Sequence, residues 1–181
     1  NVYTRNTQLS QWAKQNKIVK LKNGLYALSS DYTKEPLAPE IIAAKLYAPS
    51  YISLQYALSL YGIIPDAVFE VTSVTTKSTR LFATPFGNFR YRKIKTACFF
   101  GFAPVQHGKL TSYMASPEKA LVDFLYLNNL WLTPEYATWK ELRLQNLKEI
   151  NFGILANFAE KFKNKKLLSL IHNLRSYATS S

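Results

Sequence analysis

Residues 116–132 read SPEKALVDFLYLNNLWL, and this stretch decides the character of the fold. Ser116 supplies an N-cap oxygen, Pro117 suits a first helical position where no N–H is needed, and Glu118 places an acid at the positive end of the helix dipole. From Ala120 onward the stretch is apolar nearly all round, which predicts a helix through the middle of a domain. Asp123 is the exception. A carboxylate there needs a donor, and Lys119 stands one turn earlier, so a satisfied ion pair is the expected role, ahead of catalysis.

Upstream of this helix the pattern is β. Val68, Phe69, Val71 and Val74 lie among threonines, residues 80–83 form a short strand, and Pro85-Phe86-Gly87 turns into FRYRKIK at 89–95. On that strand Arg90, Arg92 and Ile94 alternate with Phe89, Tyr91, Lys93 and Lys95. Neither face is cleanly apolar, so the strand is expected at a sheet edge or under a loop. Residues 97–102, with Cys98 in a core strand, and 109–114 would complete a mixed or antiparallel sheet.

Helices bracket the sheet. Pro39 opens one over 40–47, with Glu40 in its first turn, and Ala48-Pro49 stops it. Ser53 caps a second, carrying Leu54, Ala57, Leu58 and Tyr61 at helical spacing and ending at Gly62. Downstream, Pro134 starts a short helix, and Asn151 caps a stretch with Ile154, Leu155, Phe158 and Phe162 on one side. Leu167, Leu168, Ile171 and Leu174 form the stripe of a last helix, after a lysine-rich turn at 161–166. These elements give an α/β (α+β) class: a sheet domain with helices, ending in a helical region that could also hold a partner subunit.

The N-terminal stretch RNTQLSQWAKQNKIVKLKNGLYAL, residues 5–28, reads differently. Asn6 or Thr7 would cap a helix reaching about Gln15, with Leu9, Trp12 and Ala13 buried and Gln8, Gln11, Lys14 and Gln15 facing outward. Asn23-Gly24 is a strong two-residue hairpin signal, predicting a type I′ turn with Leu21 opposite Tyr26 and Val19 opposite Leu28. Lys20 and Lys22 would then share the other face. Helix plus basic hairpin is the arrangement of a winged helix-turn-helix. Gln8 and Gln11 would meet base edges, Lys14 phosphates or guanine, Lys20 and Lys22 the backbone from a hairpin whose DNA-contacting set includes Asn23, and Arg5 and Thr7 a phosphate at the helix N-terminus. The segment SSDYTKEPLAP at 29–39 reads as a linker, dividing the chain into 1–30, a partial winged domain, and 31–181, the larger body.

Charge agrees with an anionic partner. Lys+Arg 23 against Asp+Glu 11 gives a formal charge of +12 in 181 residues. DNA, RNA and an acidic membrane surface all suit that excess. No acid occurs between Glu70 and Glu118, an interval holding Lys77, Arg80, Arg90, Arg92, Lys93, Lys95 and Lys109. A second basic surface is therefore expected, with Phe89 and Tyr91 available for base stacking, so an RNA- or protein-binding module around 90–95 is the alternative function. No apolar run reaches 18 residues, no secretion signal opens the chain, and Cys98 is the single cysteine. A reducing cytoplasm is the expected compartment.

Enzymatic signals are sparse. His107 and His172 lack accompanying ligands, Asp31, Asp66 and Asp123 form no close pair, and the glycines make no phosphate loop. A site assembled from Glu70, Glu118 and Asp123 is the residual enzymatic alternative. No catalytic residue, cofactor or metal is expected.

The order of a basic hairpin ending GLYAL (24–28), YISLQYALSLYGI (51–63), a Val/Thr-rich strand, FGNFRYRKIK (86–95) and SPEKALVDFLY (116–126) resembles the antitoxin component of bacterial abortive-infection (AbiE-type) type IV toxin–antitoxin systems. The resemblance covers roughly residues 5–132. It implies a winged helix that binds inverted repeats in its own promoter, and a larger domain that counters a nucleotidyltransferase-like toxin. It assigns the helix with Gln8, Gln11 and Lys14 to recognition and residues 20–24 to the wing, with the earlier helices of that domain not represented. Ser53, Ala57, Gly62, Pro117, Glu118, Lys119 and Asp123 fall on signature positions of the larger domain, with mainly structural roles.

Overall fold

The structure is a computed structural model that describes residues 2–33 and 35–180, with side chains described from residue 7 onward. Arg5 and Asn6, given roles above, therefore have side chains outside the described set. The chain begins with helix α1 (Val2–Lys14) and a two-stranded hairpin, β1 (Ile18–Lys22) and β2 (Leu25–Leu28). Helix α2 (Pro39–Leu46), strand β3 (Ser50–Ile52) and helix α3 (Leu54–Leu60) come next. Then come β4 (Val71–Thr75), β5 (Arg80–Thr84), β6 (Gly87–Lys93), β7 (Phe102–His107) and β8 (Leu110–Ala115). Helices α4 (Pro117–Leu127), α5 (Tyr136–Leu142), α6 (Phe152–Lys161) and α7 (Lys165–Ser180) close the chain. Among the described residues, no helix is long and apolar enough to cross a membrane.

Six strands form one mixed sheet in the order β5-β6-β4-β3-β8-β7, with β4/β6 and β3/β8 parallel and the other pairs antiparallel. Residues paired across neighbouring strands project to the same side. Tyr51, Val74 and Arg92 thus share one face, and Ile52, Ser73 and Tyr91 the other. The first face carries α3 and α4: the Tyr56 N–H of α3 donates to Thr72 Oγ1 at 3.0 Å, and the Tyr51 hydroxyl donates to Asp123 of α4 at 2.8 Å. The second carries α2, whose Ala43 carbonyl accepts the Tyr91 hydroxyl at 2.7 Å. Helices α6 and α7 pack behind α4, so α4 has protein on every side and Lys119 through Leu125 are all buried. The mixed α/β class and the central helix expected from residues 116–132 are both present.

Several local expectations give way to tertiary context. Helix α1 starts at Val2, so Thr7 lies inside it and not at its N-cap; Trp12 is 39 % exposed and Leu9 and Ala13 only half-buried, because the body covers little of this helix. The helix ends at Lys14, and Asn16 just beyond it is left-handed at φ +54. In the hairpin, Val19 faces Ala27, Lys20 faces Tyr26 and Lys22 faces Leu25, leaving Leu21 as the extra residue of a bulge. Only Gly24 takes positive φ there, at +77, so the turn is not type I′. The bulge turns Leu21 inward, where it joins Ala27 in a buried cluster continuous with Ile42 and Leu46 of α2.

Strand β6 lies between β5 and β4, not at an edge, and its Phe89 and Tyr91 are fully buried. Base stacking on those two rings is thereby excluded in this fold. Cys98 is buried in a single 3-10 turn at Thr96–Cys98, and β7 starts only at Phe102, beyond the positive-φ Gly101. Val68 and Phe69 precede β4, with Phe69 90 % exposed. Helix α5 begins at Tyr136, two residues past Pro134, and α7 buries Leu167, Leu170, Ile171 and Leu174 while Leu168 stays outside. The apolar run of α4 outlasts its burial, since Leu130 and Trp131 beyond the helix are exposed.

Candidate nucleic-acid interface and the buried lysine

The outward residues of α1 are as the helical spacing requires: Gln8, Gln11 and Lys14 are exposed, and so is Thr7. On the hairpin Lys20 and Asn23 are exposed, but Lys22 is only half-exposed and is not a free cation. Its Nζ donates to the Leu46 carbonyl at 2.5 Å, where the last turn of α2 leaves an acceptor unpaired within the helix. One lysine of the hairpin therefore fastens it to the body, and the other faces solvent.

That attachment brings together two basic groups far apart in sequence. Between the hairpin and the β5 edge lies a cleft of about 570 Å³. Leu21, Lys22 and Asn23 form its hairpin side, and Tyr47, Lys77, Arg80 and Phe82 its body side. The Arg80 guanidinium sits 5.1 Å from the Phe82 ring centre and 6.0 Å from that of Tyr47, while Lys77 Nζ is 5.4 Å from Tyr47. No carboxylate lines the cleft, and none of the ion pairs among the described residues involves Lys22, Lys77 or Arg80. Three cations in a concave site without a counter-ion favour an anion, and the aromatic floor holds the two body cations in place.

The other basic strand residues go elsewhere. Arg90 and Arg92 project from the α3/α4 face. Arg90 forms a two-pronged pair with Glu70, Nε–Oε1 at 2.5 Å and Nη2–Oε2 at 3.1 Å, and the Glu70 carboxylate raises its pKa. Arg92 Nη2 donates to the Leu127 carbonyl at 3.0 Å, at the negative end of α4. Lys93 and Lys95 are exposed. The basic residues expected to form one second surface are thus separated, with Arg90 and Arg92 on one face of the sheet and Arg80 and Lys93 on the other, and of them only Lys77 and Arg80 line the cleft with the hairpin.

The signature positions converge on α4. Lys119 and Asp123 form an ion pair with both side chains fully buried. Lys119 Nζ also donates to the Tyr51 hydroxyl oxygen at 2.8 Å, and Asp123 Oδ2 accepts from Tyr51 at 2.8 Å and from Ser53 at 2.9 Å. Phe100, Phe162 and Tyr51 present their rings to the ammonium at 5.0, 5.0 and 5.3 Å. Burial lowers the Lys119 pKa and raises that of Asp123, with their mutual attraction opposing both shifts. Ser53 holds the N-cap position of α3 but spends its hydroxyl on Asp123, so Thr72 Oγ1 receives the Tyr56 N–H instead.

Around this network, Ala57 is buried where α3 meets α4, Gly62 ends α3 at φ +65, and Pro117 is the first residue of α4. Ser116 caps α4 through the Lys119 N–H, and Glu118 accepts from the Asn151 N–H, joining the starts of α4 and α6. Buried at its centre and hydrogen-bonded across three elements, this arrangement is built to hold α3, β3 and α4 in one register. Among the described residues, no three His, Cys, Asp or Glu side chains gather where a metal ion could be held. The lysines of the cleft are marked by charge in the sequence, but Tyr47, Phe82 and the Leu46 carbonyl carry no signal outside the folded arrangement. No protein-family model matches the chain, and no curated protein matches it.

Proposed function

We propose that this chain is a sequence-specific DNA-binding repressor that regulates its own toxin–antitoxin operon and serves as the antitoxin. The observation that carries the DNA reading is the cleft in which Lys22, Lys77 and Arg80 stand without a carboxylate. Exposed Gln8, Gln11 and Lys14 on α1 and Lys20 on β1 supply amide and cationic groups beside it in sequence. In this reading α1 and the hairpin are the recognition helix and wing of a winged domain. Cations on the hairpin and body hold phosphates, and the glutamines read bases. The choice of operon rests on the resemblance to AbiE-type antitoxins. The alternative of RNA or protein binding around residues 90–95 has less support, because Phe89 and Tyr91 are buried and both arginines have internal partners.

The test is fluorescence anisotropy with the chain and its own promoter DNA containing an inverted repeat, against unrelated duplex, over a range of salt. Promoter DNA should bind more tightly, and replacing Lys77 and Arg80 by alanine should lower the salt slope by about 0.9 for each phosphate no longer neutralised. Equal affinity for promoter and unrelated DNA refutes the sequence-specific role. Failure of co-expression to relieve growth arrest by an adjacent nucleotidyltransferase-like gene refutes the antitoxin role alone.

A further inference from the structure

A groove of about 380 Å³ opens where the start of β3 meets the β7–β8 hairpin. One wall is aromatic: Phe99, Phe102 and Tyr113. These rings continue an inward ladder, with Phe102 stacked on Tyr51 at 4.5 Å, Phe99 at 5.1 Å from Phe102, and Tyr113 edge-on to Phe102 at 5.8 Å. The facing wall is Ala44, Ala48 and Pro49. Ala44, Phe99 and Phe102 are half-buried, whereas Ala48 and Pro49 are exposed and Tyr113 is 44 % exposed, so the groove opens to solvent.

A single charge stands at this apolar slot. Lys45 lines it, and none of the ion pairs among the described residues involves Lys45. The hydroxyl-bearing residues Ser50 and Thr111 complete the lining. Flat aromatic walls select a flat apolar body, because rings gain from offset or edge-on contact with other rings. One ammonium balances one negative charge, which suits a carboxylate and leaves a phosphate dianion half-compensated. The volume is at the low end for small-molecule sites, about 300–1,000 Å³.

The groove shares its backbone with the DNA-facing cleft. Ala44, Lys45, Ala48, Pro49 and Ser50 line the groove, while the two residues between them serve the cleft. Leu46 accepts the Lys22 ammonium, and Tyr47 lies beneath Lys77 and Arg80. A ligand that anchors Lys45 and fills the space beside Pro49 therefore acts on the same short segment that holds the hairpin. We propose that this groove is an effector site for a small aromatic carboxylate, whose occupancy is transmitted through residues 44–50 to the position of the hairpin. Binding at the groove is independent of the DNA reading; only its regulatory consequence rests on that reading.

The test is calorimetric titration of the chain with 2-naphthoate and its uncharged analogue 2-naphthamide. Naphthoate should bind at one site, about tenfold or more tighter than the amide, the difference a charge-assisted contact provides. Lys45→Met should remove that difference and leave the amide unaffected, whereas Tyr113→Ala should weaken both ligands. Both positions are exposed, so circular dichroism should show each variant folded. Absence of binding, or naphthoate binding that survives Lys45→Met but is lost in Lys77→Ala, overturns the assignment. Saturating naphthoate should also change amide hydrogen exchange over residues 18–28 in the wild type and not in Lys45→Met. Unchanged exchange in both overturns the transmission to the hairpin. Naphthoate binding in a chain that binds no promoter DNA would refute the proposed function and leave the groove assignment standing.

Discussion

Replacing Lys119 by methionine keeps the length and apolar stem of the side chain but removes the cation paired with Asp123. The carboxylate then keeps two donors, Tyr51 at 2.8 Å and Ser53 at 2.9 Å, in a site with no exposure. Breaking a buried pair in this way costs about 3–5 kcal/mol, against a total of about 5–15 kcal/mol for a domain. For a chain of this size that lowers the melting temperature by about 6–20 °C. Asp123→Asn strands the ammonium and should cost a similar amount. In the double variant Lys119→Met/Asp123→Asn no buried charge remains, and the amide oxygen still accepts from Tyr51 and Ser53. Its loss should fall short of the sum of the single losses by at least about 2 kcal/mol. Burial already raises the Asp123 pKa, and removing Lys119 takes away the largest opposing influence. A raised folded-state pKa favours folding as protons are taken up, so the deficit of Lys119→Met should shrink from pH 7 to pH 5. Urea unfolding followed by Trp139, which is fully buried, provides the measurement. Additive single-variant losses, or a Lys119→Met deficit independent of pH, would refute the account of this network as a coupled buried pair.

Gly101→Ala tests the seat of that lysine: at φ +75, a Cβ would lie 3.0 Å from Lys119 Cγ and Cδ, and a loss of about 2–3 kcal/mol in urea unfolding is expected. Tyr51 and Tyr91 are buried with pKa values raised above the ordinary 10.0, chiefly by desolvation. Their contribution is therefore complete below pH 10 and lost as pH rises above it. Each such group makes stability fall by about 1.4 kcal/mol per pH unit once the unfolded chain is ionised, and Tyr91→Phe should remove one such share of the slope. Lys20 and Lys22 should behave differently despite their spacing. Lys22→Met should speed amide exchange across the hairpin by releasing it from Leu46, whereas Lys20→Ala should leave exchange unchanged and weaken DNA binding about equally across sequences.

Local chemistry made a large part of this architecture legible in the chain. Ser116, Pro117 and Glu118 act on the helix they begin, so α4 starts where they say, and Pro39 and Gly62 mark α2 and α3 for the same reason. Lys119 and Asp123 are one helical turn apart, and their pairing arises from that spacing alone once the helix is buried. Other features depended on neighbours remote in sequence. The alternation in β6 marked it as an edge because neither face looked cleanly apolar; β5 nonetheless pairs along its outer side, and Arg90 and Arg92 find partners in Glu70 and the α4 carbonyl end. The hairpin register shifted because the core could take Leu21 only through a bulge. The sequence by itself determined the positive charge, a count over the whole chain, and the helix starts and the ion pair, consequences of residues acting within a turn of one another. Only the tertiary structure decided which lysines are free, by seating Lys22 on Leu46 and setting the hairpin beside Lys77 and Arg80. Contacts across such distances depend on packing, and no local propensity encodes them.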